Sequence, residues 1–381
     1  MNESVHRAWS AVRERFSFSH SGSDAVSESF ATSEPNAAHE GRRYINRAMA
    51  LKRLICCTLA LAEGCAGMQT KQAKQHVSRG EKLMERAELE AALKEFQAAA
   101  ELSPQLAVAH SKLGIVYRRL GEYEQAIDSF LTALRIQPES FVDTFNLAQV
   151  YQFTKRIKEA IQAYLHAVEL RPGDFESQLN LGVCYQQIGD LPQAQERFQK
   201  AIDIDPARAP SFVNLGVALE AQGKHYDAIR AYKEALERDD NQPMVLVNLA
   251  HTYMKQDRLK LAKQSLEEAV RMDPKLAAGY EALGFCQFRM REYDAAEQSY
   301  QQALKEDWRL PRAHAGLGSI CMLRFLEDKS QTEWRDRAIE HWHRSLELNT
   351  DQPRIRKLLA QYSPPSKDPE DILIPAGTSG E

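Results

Sequence analysis

No apolar run among the 381 residues reaches the roughly eighteen that a membrane-spanning helix requires. Neither charge is in clear excess. Forty-nine Lys and Arg against 53 Asp and Glu leave a formal net charge of -4, so no global basic surface invites nucleic acid. Six cysteines without regular spacing make neither a disulfide framework nor a zinc site. The chain also has no Gly-x-Ser-x-Gly elbow, no phosphate-binding glycine loop and no His-Glu-x-x-His pair, the short motifs that mark hydrolytic, nucleotide or metalloprotease sites. His341 and His343 flank Trp342, but residues two apart on a helix do not share a face and chelate poorly. The expectation is a protein that is not an enzyme and holds neither cofactor nor metal.

What the chain does have is repetition. Ala107 to Ser140 reads as two amphipathic helices around a tight turn, with Leu113, Gly114 and Tyr117 on the first, Ala126, Phe130 and Ala133 on the second, and Pro138 after it. Thirty-four residues later the skeleton returns as Leu147, Ala148, Tyr151, Ala160, Tyr164, Ala167 and Pro172, and again as Leu181, Gly182, Tyr185, Ala194, Phe198, Ala201 and Pro206. Small residues let two antiparallel helices approach, large ones fill the space beside the contact, and Pro ends the second helix by removing a donor. Gly121 and Gly189 relax the turns. A period of this length with one helical hairpin per period specifies a solenoid.

The skeleton closely resembles the tetratricopeptide repeat family, although the Trp that family carries at the fourth position is replaced throughout, by His76, His110, Thr144, Gln178, Phe212, Leu246, Tyr280 and His314. The resemblance implies an all-α, right-handed α-solenoid of about eight helical hairpins over residues 73–352, closed by a capping helix at 353–362. The eighth repeat carries an insertion near 324–332, either a longer first helix or a projecting loop. His76, His110 and His314 share one repeat position and read as packing residues. Cys184, Cys286 and Cys321 read as small apolar fillers without a redox role.

Outside the array, residues 1–48 read as a disordered segment or as an extension upstream of a start at Met49, and residues 363–381, which include Pro364, Pro365 and Pro369, as a flexible tail. Residues 49–65 have the order of a secretory signal: basic residues, the apolar run Leu54 to Ala62, then small residues and Cys65. Ala62-Glu63-Gly64-Cys65 resembles a bacterial lipobox, with Ala62 and Glu63 departing from the usual Leu and small residue. That resemblance implies a lipid on Cys65 and the periplasmic side of the outer membrane, the lipid being the sole membrane contact. A short buried helix, or a membrane-surface anchor, in a cytoplasmic protein is the alternative.

The sixth position of four successive first helices is Asn146, Asn180, Asn214 and Asn248. Asn is a mediocre helix former, so four at one register call for a reason. In the tetratricopeptide family this register faces the concave surface, and the ladder resembles O-linked N-acetylglucosamine transferases, whose amides grip a peptide backbone. An amide offers both a donor and an acceptor to an extended peptide. Gln149, Val183, Val217 and His251 accompany the ladder, Arg118, Arg119 and Lys112 cluster in the second repeat to hold an acidic end, and the groove should centre on repeats three to six. The expected partner is a protein or peptide, not nucleic acid, and the oligomeric state is left open. Two functions follow: a lipid-anchored scaffold for envelope assembly, similar to pilotins, or the substrate-recognition subunit of a cytoplasmic enzyme system such as a glycosyltransferase without its catalytic domain.

Overall fold

The computed structural model describes residues 67–363. The expectations for residues 1–48, for the signal-like segment ending at Cys65 and for 364–381 lie outside them. Seventeen helices and no strand occupy the described residues. They run as α1 (67–85), α2 (Leu89–Leu102), α3 (Ala107–Leu120), α4 (Tyr123–Ile136), α5 (Phe141–Phe153), α6 (Ile157–Leu170), α7 (Phe175–Gln187) and α8 (Leu191–Ile204). There follow α9 (Ala209–Ala221), α10 (His225–Arg238), α11 (Pro243–Lys255), α12 (Leu259–Met272), α13 (Ala277–Arg289), α14 (Tyr293–Glu306), α15 (Pro311–Glu327), α16 (Thr332–Leu348) and α17 (Pro353–Tyr362). Each odd helix up to α15 pairs with the next even one, giving eight hairpins, and α17 packs on the last. The architecture is an all-α solenoid.

Close contact within a hairpin is made by small residues against rings. A Cβ on Gly114, Gly182 or Gly216 would lie 2.6 Å from a ring carbon of Phe130, Phe198 or Tyr232 respectively. On the second helices, Ala126, Ala160, Ala194, Ala228 and Ala262 are all fully buried, so these helices have no room for a longer side chain on that face. The core follows the chain as successive apolar clusters, each made by neighbouring hairpins; the largest runs from Ala194 to Cys286. Ile355 and Leu359 of α17 join Cys321, Met322, Ala338 and Trp342 in the last cluster, so α17 covers the apolar face that an open stack would expose.

The turn inside each of the first seven hairpins rests on one left-handed residue. Gly121, Gly189 and Gly223 hold it with φ of 83°, 79° and 75°, and Ala87, Lys155, Asp257 and Arg291 occupy the same place with φ of 61°, 64°, 58° and 64°. The equivalent residue in the eighth hairpin is Phe325, which stays helical. Without a left-handed stop the first helix runs on to Glu327, and the partner helix starts earlier as well. Both α15 and α16 are 17 residues long, so the inserted residues lengthen two helices rather than forming one loop.

The fourth-position histidines do polar work that the sequence reading assigned to packing. His110 Nε2 lies 3.0 Å from the Pro104 carbonyl and His314 Nε2 3.2 Å from that of Trp308. Each ties its first helix to the loop that enters the hairpin. His76 instead meets Glu95 Oε2 at 2.7 Å.

Candidate functional site

The first helices form one wall of the stack, and two cavities open along it. One, of about 720 Å³, spans hairpins two to four and takes Arg118, Gln149, Gln152, Phe153, Lys155 and Asn180 into its lining. The other, of about 400 Å³, spans hairpins six to eight and includes His251, Phe285, Phe288 and Gly316. Counted from the start of each 34-residue unit, both draw on first-helix positions six, nine and twelve. Those positions recur at helical spacing and so share one face.

The larger cavity is built to meet acceptors. Arg118 Nη1 donates to Gln149 Oε1 at 2.6 Å; a guanidinium cannot accept, so Gln149 must turn its oxygen there and keeps its NH₂ without a partner among the described residues. The Tyr164 hydroxyl donates to Gln152 Oε1 at 2.8 Å, which leaves a second amide NH₂ in the same state. Burial and the neighbouring Arg119 lower the Arg118 pKa, with Tyr164 opposing them, yet a guanidinium stays charged. Arg118 and Lys155 form no ion pair among the described residues, and no carboxylate belongs to the lining. The rings of Tyr123 and Phe153 lie 4.7 Å apart between centroids with their planes tilted by 42°, and Phe153 remains 65% exposed, an apolar surface beside the cationic one.

Of the residues expected from the sequence, Arg118, Gln149 and Asn180 come together in this cavity and His251 lies in the other. Asn146, Asn214, Asn248, Val183 and Val217 sit at the same repeat positions but line neither. Asn146 turns back on its own helix, donating to the Val142 carbonyl at 2.8 Å. Val183 and Val217 pack against the largest core cluster. Asn180, Asn214 and Asn248 are half-buried and their side chains make no hydrogen bond among the described residues.

The two cavities lie over hairpins two to four and six to eight. Between them Val183 and Val217 are half-buried against the core. The expected basic cluster does not form. Arg119 is exposed on a different face from Arg118, as adjacent helical residues must be, and Lys112 is held 2.7 Å from Glu81 Oε1. Lys155 supplies the second cation instead. It was missed because it occupies the left-handed turn position, where the sequence pattern suggests a role in backbone geometry alone.

In the smaller cavity, burial depresses the His251 pKa, with Glu220 opposing it. Burial also raises the Glu281 carboxyl, with Arg312 opposing. The three cysteines lie away from both linings and are fully or nearly fully buried; burial pushes Cys184 up to about 12 and Cys286 up to about 11. Thiols so protonated are poor nucleophiles.

Models of the tetratricopeptide repeat match residues 107–140, 141–207, 185–243 and 219–284, and a TPR repeat model matches 80–121. A search for similar curated proteins returns no match. Among solved structures, the C-terminal part of a TPR repeat-containing protein from Cytophaga hutchinsonii has a TM-score of 0.54 at 18% identity, covering 63% of this chain and 99% of that one. A tetratricopeptide repeat protein from Parabacteroides merdae has a TM-score of 0.50 at 16% identity, covering 62% of this chain and 94% of that one. The APC/C hetero-tetramer Cut9-Hcn1 gives 0.52 at 16% identity, over 76% of this chain and 55% of that one. These likenesses concern the fold.

Proposed function

Because the chain belongs to the tetratricopeptide repeat family, whose members are protein-interaction scaffolds, we propose that it binds an extended, acidic segment of a partner protein in the groove of hairpins two to four. The observation that carries this reading is the meeting of Arg118, Lys155, Gln149 and Asn180 in a cavity of about 720 Å³ whose lining contains no acid. The cations meet carboxylates and the amides meet backbone groups. The exposed ring of Phe153 offers a seat for an apolar side chain.

Magnitudes favour this combination over the amides alone. Four net hydrogen bonds at about 0.5–1.5 kcal/mol each fall at the low end of the roughly 4–15 kcal/mol that association costs. Charge pairing and ring contacts must therefore add to them.

The test is selection of binders from a random displayed peptide library against the full chain. Selected peptides should be rich in Asp and Glu. The variant carrying both Arg118→Ala and Asn180→Ala should lose about ten-fold or more in affinity, as the removal of about 1.4 kcal/mol does, with its helical melting unchanged. The double variant Asn180→Ala, Asn214→Ala separates the ladder from the cavity: Asn214 lies outside the lining, so it should add little to the loss from Asn180. Retention of full affinity by the Arg118, Asn180 variant would refute the groove assignment.

We further propose that this scaffold works at the bacterial cell envelope in assembly of a multiprotein complex, held by a lipid on Cys65. The support is the basic–apolar–small–Cys order of residues 49–65. Mass spectrometry of the native N-terminus should find a lipidated Cys65; an unmodified chain beginning at Met1 would exclude it.

A further inference from the structure

The Asn ladder ends at Ala282 and Gly316, and the smaller cavity opens where it ends. Gly316 is bare for a reason: a Cβ there would lie 2.4 Å from Cε2 and Cζ of Tyr300. Tyr300 itself differs from its counterparts. Tyr164 and Tyr232 give their hydroxyl protons to Gln152 and Glu220, at position twelve of the first helix in the same hairpin. In the seventh hairpin that position is Phe288, which cannot accept, so the Tyr300 hydroxyl has no protein partner among the described residues.

Two guanidiniums stand beside it in the lining, Arg312 of α15 and Arg354 of α17. Both are exposed and neither has an ion pair or hydrogen bond among the described residues. Their neighbours are engaged: Arg289 with Asp257, Arg309 with Asp307, and Arg324 with Asp294 and Glu297. Phe285, 48% exposed, and Phe288 supply apolar wall. Glu281 is the one acid in the lining, set against the two arginines. The site therefore offers apolar surface, an unpaired hydroxyl and net positive charge, in a volume within the range of about 300–1,000 Å³ typical of ligand pockets.

We propose that this pocket is a second ligand site, specific for an acidic–aliphatic segment, and that its occupant in the full chain is residues 368–374. That segment reads Asp368-Pro369-Glu370-Asp371-Ile372-Leu373-Ile374: three carboxylates for Arg312 and Arg354, then three aliphatic side chains for Phe285 and Phe288. The tether allows it. Ile372 lies nine positions beyond Ser363, enough to span about 30 Å when extended. Arg354 lies on the helix from which this segment continues, about 12 Å from its end. A short tether holds the segment at an effective concentration on the order of millimolar, so an external ligand of the same pattern must displace it. The site is separate from the groove of hairpins two to four and does not rest on the function proposed for that groove.

The test uses a fluorescent synthetic peptide of residues 366–376 and fluorescence anisotropy on full-length chains. Against the chain carrying Ile372→Ser, Leu373→Ser and Ile374→Ser, the peptide should bind at least ten-fold more tightly than against the unaltered chain, where the tethered segment competes. Adding Arg312→Glu and Arg354→Glu, both at exposed positions, should abolish that binding. A peptide with Asp368→Lys, Glu370→Lys and Asp371→Lys should then recover it on the charge-reversed pocket, a gain that misfolding cannot produce. Equal affinity for the unaltered and tail-substituted chains overturns the tethered occupant. Absence of saturable binding to the tail-substituted chain, or binding that survives the charge reversal, overturns the site. Binding that is lost on Arg118→Ala with Asn180→Ala would move the peptide to the other groove and overturn the assignment equally.

Discussion

At the scale of single residues, the turn position separates backbone demand from side-chain chemistry. Seven turns need a left-handed residue, and four supply a side chain with a Cβ. An L-residue in this conformation costs about 1–2 kcal/mol, more than the roughly 0.5–1 kcal/mol of extra freedom that a glycine loses on folding. Ala87→Gly and Arg291→Gly should each therefore stabilise the protein, by about 0.5–1 kcal/mol. Gly223→Ala should cost a similar amount, and urea midpoints followed by circular dichroism would show either sign. The cysteines make a second residue-scale case. With Cys184 and Cys286 fully buried and held far above the ordinary thiol range, alkylation at pH 8 should be slow in the native protein and fast after denaturation.

At the scale of elements, helix pairs depend on how closely they approach. Ala194→Leu should destabilise the protein by about 1–3 kcal/mol, since a fully buried alanine has no room for three more carbons. The eighth hairpin adds a titrating contact between its two long helices. The Trp308 carbonyl can only accept, so His314 gives it the Nε2 proton and turns a bare Nδ1 toward His341 Nδ1, 3.2 Å away, which donates. Burial lowers both imidazoles. The charges around them are Arg344 and Glu347 at His314, and Glu297, Arg337 and Glu340 at His341. A folded-state pKa below the unfolded one means that the unfolded chain binds more protons in this range. The stabilisation is complete above the unfolded value of about 6.5 and is lost as pH falls below it toward the depressed folded values. His341→Gln should flatten the fall of melting temperature between about pH 6.5 and 5, measured against the unaltered chain.

At the scale of the whole array, each hairpin packs chiefly on its neighbours, so stability is a chain of local couplings rather than one global term. Leu359→Asp would place a charge in the cluster where α17 covers Cys321, Met322 and Trp342. Hydrogen exchange should then accelerate in α15 to α17, while the amides of hairpins two to five keep their protection. Uniform loss of protection along all eight hairpins would show instead that the array unfolds as one unit.

The helices, their pairing and the cap were legible in the sequence because they depend on local rules that recur at a fixed period. Leu113, Gly114 and Phe130 meet the same demands as Leu181, Gly182 and Phe198, and a demand repeated in tandem is readable from residue type alone. Even the left-handed turn could be read at Gly121 and Gly189, though not at Lys155 or Arg291, where the conformation is imposed by the two helices it joins. The register of the wall along which the two cavities open was legible too, since positions six, nine and twelve fall on one helical face. Which of those positions would be open was not. Val183 and Val217 share the register of Gln149 and His251 and are equally half-buried, but the valines rest against the core cluster while Gln149 and His251 line the cavities. Likewise Arg118 and Arg119 differ in sequence by one place, and only tertiary structure decided that the first meets Gln149 while the second faces away. Repetition fixes what each hairpin does with itself and its neighbour; the cavities arise where the repeat is imperfect, at Phe288, Gly316 and Lys155, and their shape depends on side chains brought together from three hairpins at once.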